Sequence, residues 1–185
     1  MNSYKVLNKQ VYTNGEYSIV PIRYADRMNI MQWRNEQIYH LRQNSPLTPE
    51  SQDRYFKDTV LNLFEQELPN QILFSYLRNG HCIGYGGLVH INWIDAHAEI
   101  SFIMDTSLEK DEFDLHWQTY INLIEQVAFE GLNLHKIFVY AFDLRPGLYP
   151  ILESVGYFKD AVLTDHCFYN GNFLDVVIYS KIKAR

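Results

Sequence analysis

The chain predicts an α+β (α/β) fold: a mixed, mostly antiparallel sheet of about seven strands with helices on both faces. Three observations predict it. Period-two runs bounded by turn signals fill 72–105 and 159–182, the pattern of half-buried strands. One long segment, Phe113–Glu130, repeats its apolar residues (Trp117, Tyr120, Ile121, Ile124, Val127, Ala128) at helical spacing. Strands flank that helix on both sides, which calls for a sheet with helices packed on it.

In order, residues 1–15 read as a peripheral arm ending at the Asn14-Gly15 turn signal. Tyr17–Arg23 alternates as a first strand. Asp26 is a cap residue for a helix through Met28, Met31 and Asn35. Thr48-Pro49-Glu50 starts a second helix, with Pro in the first helical position, and Phe56, Val60, Leu63, Phe64 and Leu68 follow until Pro69. Ile72–Leu77, Cys82–Ile91 and His97–Asp105 form an antiparallel meander, turning at Asn79-Gly80 and Trp93–Asp95. Residues 106–112 read as a charged loop before the long helix. A strand at Lys136–Phe142 and a short helix with Leu148, Ile151, Leu152 and Val155 on one stripe come next. Gly156 stops that helix. A closing hairpin, Lys159–Tyr169 and Phe173–Ile182, turns at Asn170-Gly171. The element order is β-α-α-β-β-β-α-β-α-β-β, with no repeat or linker, so 1–185 reads as one domain.

The 185 residues include 47% hydrophobic and 15% aromatic side chains, enough for a sizeable core and unlike a disordered chain. A net charge of −6 lacks the basic footprint of a nucleic-acid binder. No apolar run approaches the length of a membrane span and the N-terminus has no signal-peptide core, so a cytoplasmic protein is expected. Cys82 and Cys167, both in expected strands, read as free thiols. The histidines offer no third ligand beside His90 and His97, and no metal site is expected. Gly84-x-Gly86-Gly87 lies within a strand and opens no helix, so close backbone approach explains it better than phosphate binding.

Several pieces carry a family likeness: Trp33-Arg34-Asn35, Ala98-Glu99-Ile100, Phe129-Glu130, Leu134-His135-Lys136-Ile137 and Val155-Gly156-Tyr157. With the element order they make residues 16–182 resemble the GNAT-type acyl-CoA N-acetyltransferases. Two branches compete, the nucleotide-amino-sugar acetyltransferases and the ribosomal-protein alanine acetyltransferases. Gly84–Leu88 running into His90–Trp93, together with Phe173–Val176, resembles the sugar branch more. The resemblance implies acetyl-CoA as co-substrate, a primary amine on a small molecule as acceptor, and no nucleic-acid or membrane partner. A homodimer stays open, as does a protein N-terminus for acceptor, or a fold reused for binding without catalysis.

The implied site is partial. Acetyl transfer needs a base for the ammonium, a polarised carbonyl and a proton for the thiolate. Glu99, sharing a strand face with Ser101 and Ile103, is the base candidate, or else one half of a cross-strand polar pair on a half-exposed strand. The resemblance assigns the carbonyl to backbone N–H groups around Ile103 and Met104. It also places Arg34 and Asn35 on the acceptor side. His90 and Trp93, at a hairpin tip, are candidates to stack on a base or sugar, or ordinary packing. The family's Q/R-x-x-G-x-G/A pyrophosphate loop is replaced by Thr106–Leu115, without glycine and with Glu109, Asp111, Glu112 and Asp114. That loop either presents its N–H groups with the carboxylates turned outward, or binds CoA weakly, or is degenerate. Lys110, its one cation, is either a candidate phosphate contact or a solvated surface lysine. In the short helix, Arg145 and Leu152 stand where the family has Asn and Tyr. Arg145 is therefore a candidate phosphate contact, and Tyr149 either reaches the sulfur as proton donor or lies at the surface.

Overall fold

The computed structural model describes residues 2–184. Its centre is one eight-stranded sheet. The strands are β1 (Tyr12–Asn14), β2 (Tyr17–Pro21), β3 (Ile72–Arg78), β4 (His81–Asn92), β5 (His97–Met104), β6 (Lys136–Phe142), β7 (Phe158–Tyr169) and β8 (Asn172–Ile182). Their spatial order is β1-β2-β3-β4-β5-β6-β8-β7. Every neighbouring pair is antiparallel except β5 and β6.

The eighth strand comes from the arm. Gly15, at a φ of 59°, lets the chain reverse and pair Tyr12–Asn14 with β2. The arm is not peripheral: Tyr4, Leu7 and Tyr12 are all buried. The Tyr4 hydroxyl donates to the Leu73 carbonyl and accepts from the Leu73 N–H, both at 2.8 Å. Apolar residues occur in this stretch only singly or in adjacent pairs (Tyr4, Val6-Leu7, Val11-Tyr12) and sustain no period, which is why the sequence pattern assigns them no core role.

Five helices pack on the sheet: α1 (Arg27–Glu36), α2 (Pro49–Tyr55), α3 (Leu61–Glu65), α4 (Thr106–Glu125) and α5 (Leu148–Ser154). Thr48 and Ser51 close a capping box at the start of α2, and a π-turn at Phe56–Val60 joins α2 to α3. Asp26 does not cap α1. Its buried carboxylate instead accepts from Arg23 and from the Ser75 hydroxyl.

The largest departure lies before α4. The expected loop 106–112 is helix, so α4 follows β5 after the single residue Asp105. Asp105 caps it: Oδ1 accepts from the Ser107 N–H at 2.9 Å and the Ser107 hydroxyl at 2.8 Å. Acidic side chains in the opening turns suit the helix dipole, so the residues that look like a charged loop are good helix-starting residues.

The two sheet faces differ in their covering. Tyr85 and Ile103 oppose each other and face α1, whose Arg34 bonds the Tyr85 hydroxyl at 2.6 Å. Phe102 and Gly86 face the other way, where the Phe102 ring stacks on Tyr120 of α4 at 4.0 Å. A Cβ on Gly86 would stand 2.0 Å from the Ser101 carbonyl oxygen and 2.5 Å from the Tyr120 hydroxyl. Close backbone approach thus accounts for this glycine, as the sequence implied.

Candidate active site

The one parallel pair is short. β5 and β6 are in register only over His97–Lys136, Ala98–Ile137 and Glu99–Phe138. Beyond that point β5 stays with β4 up to Met104, and β6 stays with β8 up to Phe142. The strands therefore part, and a cavity of about 210 Å³ opens between them. Its walls include Glu99–Phe102 and Val139–Phe142, with Arg34, His40, Arg42, Trp117, Arg145 and Leu148 around them. Because β5 contributes residues of both faces, the cleft passes through the sheet. Its α1 side holds Glu99, and its α4 side meets Trp117.

Glu99 is 6% exposed and sits where the strands diverge. One carboxylate oxygen contacts the Arg42 guanidinium, and the other lies 3.9 Å from His90 Nε2. Burial raises its pKa above the usual carboxylate range, and Arg42 and His90 oppose that rise. A buried carboxylate with a raised pKa, open to a cleft, is suited to accepting a proton from an amine. Arg42 is itself steadied by the Tyr140 ring, 4.5 Å beneath its guanidinium carbon.

Backbone polarity fits the cleft as well. The Asp105 N–H bonds the Ile83 carbonyl at 2.9 Å on the β4 side. Strand alternation then directs the Ile103 N–H to β4 too, and leaves the N–H groups of Phe102 and Met104 on the side of the opening. Of the expected pair, Met104 is the one so placed.

Other expected residues are distributed unevenly. Arg34 lines the cleft, bonded to Gln43 at 2.9 Å and to Tyr85. It also lines a second, more apolar cavity of about 230 Å³ with Ile22, Ile30, Leu47, Tyr55, Phe56 and Tyr85. Asn35 is used structurally: its amide clasps the Leu47 carbonyl and N–H at 2.9 and 2.7 Å, holding the α1–α2 connection. His90 is exposed at a φ of 50°, beside Glu99. Trp93 donates to the Pro69 carbonyl at 2.9 Å and does not line the cleft, so it pins the hairpin tip. Tyr149 turns away from the cleft. It stacks on Tyr179 at 5.3 Å and donates to Asp143 at 2.6 Å, and burial together with that bond raises its pKa.

At the α4 mouth, Lys110 is exposed to solvent. Asp111 and Asp114 are also exposed, and Glu112 pairs with Arg78. Glu109 alone of the four acids turns inward, toward Arg145. His40 lines the cleft nearby, and burial, then Arg145, hold its pKa down to about 3, so it is neutral at neutral pH.

Sequence reasoning passed over Arg42, His40 and Tyr140. Arg42 lies in an irregular segment where no periodicity points. Tyr140 could have been found, since it is the one phenol in the strand Lys136–Phe142 that the sequence pattern already assigns.

Comparison with known proteins agrees with this geometry. A family model described as "Acetyltransferase (GNAT) domain" matches residues 19–178. A spermidine N(1)-acetyltransferase of Vibrio cholerae is 31% identical over 94 residues, which is 51% of this chain and 53% of that protein. The aligned region thus spans about half the length of the curated relative. The crystal structure of a Vibrio cholerae spermidine N-acetyltransferase in complex with CoA and spermine superposes with a TM-score of 0.80 at 20% identity, covering 91% of this chain and 96% of that one. A dodecameric structure of the Vibrio cholerae spermidine N-acetyltransferase gives 0.74 at 22% identity, covering 91% and 95%. At such identities these two likenesses establish the fold.

Proposed function

The chain belongs to the GNAT acetyltransferase family, and from that premise we propose that it moves an acetyl group from acetyl-CoA to a primary amine of a small, negatively charged acceptor. A nucleotide-linked amino sugar is the preferred class. The observation that carries this reading is the charge of the cleft. Arg34 and Arg42 line its acceptor side, where Glu99 is the single carboxylate and pairs with Arg42. Such a lining suits an acceptor bearing phosphate and opposes a polycation such as the spermidine named for its relatives.

Acetyl-CoA supplies the acyl group as a thioester, and the remaining work falls to the chain. Glu99 accepts the ammonium proton, directly or through one water. The N–H groups of Phe102 and Met104 face the position of the acyl oxygen. Tyr140 is the phenol on the cleft wall and the candidate proton donor to the thiolate. Arg34 divides the cleft from the second cavity and holds the acceptor's anionic group, with the apolar chamber beyond it for the acceptor's ring. A cytoplasmic setting follows from the donor. Self-association is an expectation drawn from the dodecameric relative.

A second reading is a binding protein without catalysis. It is favoured by α4 beginning directly after β5, with its Ser107 amide capped by Asp105. One assay separates these. Free thiol release from acetyl-CoA is followed with a nucleotide-linked amino sugar, spermidine and peptides with a free N-terminus. Turnover is expected with the first at a kcat/KM at least tenfold above the others. Preference for spermidine would overturn the charge argument, preference for a peptide would move the acceptor to proteins, and no turnover with acetyl-CoA bound would favour the second reading.

A further inference from the structure

Glu109 of α4 reaches toward Arg145, which lines the cleft. Glu109 stands in the opening turns of α4. Arg145 lies in the turn between β6 and α5, 19% exposed, with the Phe113 and Trp117 rings each 5.8 Å from its guanidinium carbon. Glu109 Oε1 is 3.6 Å from Arg145 Nη1, within Coulombic reach but too far for a hydrogen bond. That oxygen is buried and has no hydrogen-bond partner among the described residues. The pair is loosely made, and it leaves the buried Glu109 oxygen unsatisfied.

The neighbourhood explains why the pair matters. A diphosphate entering from the α4 side finds no glycine cradle, and the Ser107 and Leu108 amides are already engaged by the Asp105 side chain and carbonyl. Lys110 points to solvent. The cation that lines the cleft at this end is Arg145. Its planar fork matches a phosphate better than the monodentate contact it now makes.

We infer that Glu109 is an internal stand-in for a phosphate, holding Arg145 until the diphosphate of the acyl-CoA donor displaces it. The inference rests on the donor assigned above. It makes Glu109 a specificity-determining residue: donor binding is an exchange of one anion for another at Arg145, and Glu109 swings to the nearby solvent.

The test is calorimetric titration of the full chain with acetyl-CoA, S-acetylpantetheine and a nucleoside diphosphate. Glu109→Gln should bind acetyl-CoA on the order of three- to tenfold more tightly at low ionic strength, with a gain that shrinks as salt is added. S-acetylpantetheine, which lacks the diphosphate, should show no gain. Glu109→Asp, which keeps the charge, should stay near the parent. In an Arg145→Gln background Glu109→Gln should change nothing, because the two act as one unit. Unchanged or weaker acetyl-CoA binding by Glu109→Gln, with the parent still binding, would overturn the inference and leave the donor reading standing. An equal gain for S-acetylpantetheine would make Glu109 a mere obstruction. A gain for the nucleoside diphosphate alone would assign the exchange to the acceptor. Failure of every variant to bind acetyl-CoA would remove the donor reading and the inference together.

Discussion

At the scale of single residues, Glu99 is the base in the proposed mechanism, and its surroundings give that proposal a testable pH dependence. Burial raises its pKa, so its protonated form persists above the ordinary carboxylate range, and activity needs the ionised form. Activity should therefore rise with pH through that shifted value. Glu99→Gln should lower kcat/KM by about 10²-fold or more at neutral pH, and by less at high pH, where solvent already deprotonates the amine. A pH–rate profile of both proteins checks this, and an equal loss at every pH would make Glu99 structural. The same scale shows why residue type alone misleads. Asn35 and Trp93 have the chemistry of ligand contacts, but their polar atoms are spent on Leu47 and Pro69. Tyr149 is spent on Asp143.

At the scale of elements, the start of α4 is where the structure departs most from the sequence pattern. Four acids and no glycine read as a charged loop because sequence shows no apolar repeat there. In the fold, Asp105 supplies the cap, and the same acids favour the helix start. Asp105→Ala should cost about 1 kcal/mol of stability through the lost cap. Chemical denaturation measures it, with an unchanged m-value expected because the exposed area on unfolding is the same. A cost near zero would mean that packing alone sets the helix start. The parting of β5 from β6 is the other decisive element-scale event. Glycines in β4 let β4 and β5 stay closely packed, while β6 follows β8.

At the scale of the whole molecule, buried imidazoles make stability depend on pH. His40 has a folded pKa of about 3, held down by burial and by Arg145, and His116 is lowered by burial against Arg78. Both are neutral when folded but free to protonate when unfolded, near pH 6.5. Their folded states bind fewer protons, so stability is retained above about pH 6.5 and falls as pH drops below it. For His40 the loss continues toward pH 3, with a limiting slope of about 1.4 kcal/mol per pH unit. Denaturation midpoints between pH 7 and pH 5 should fall, and less so in a His40→Gln variant; a pH-independent midpoint would contradict the assignment. Taken alone, the sequence determined the element types outside the arm and residues 106–112, the order of the central strands and helices, the closing hairpin and the family likeness. Periodicity, turn residues and short motifs are local properties, and each acts within a few residues of its cause. It also singled out Glu99 and Arg145. Only the tertiary structure decided that the arm enters the core through Tyr4, that Arg42 and Tyr140 share the cleft with Glu99, and that Glu109 alone of four acids faces Arg145. Those facts depend on where distant segments meet, and that meeting is set by packing across the sheet, which no local pattern encodes.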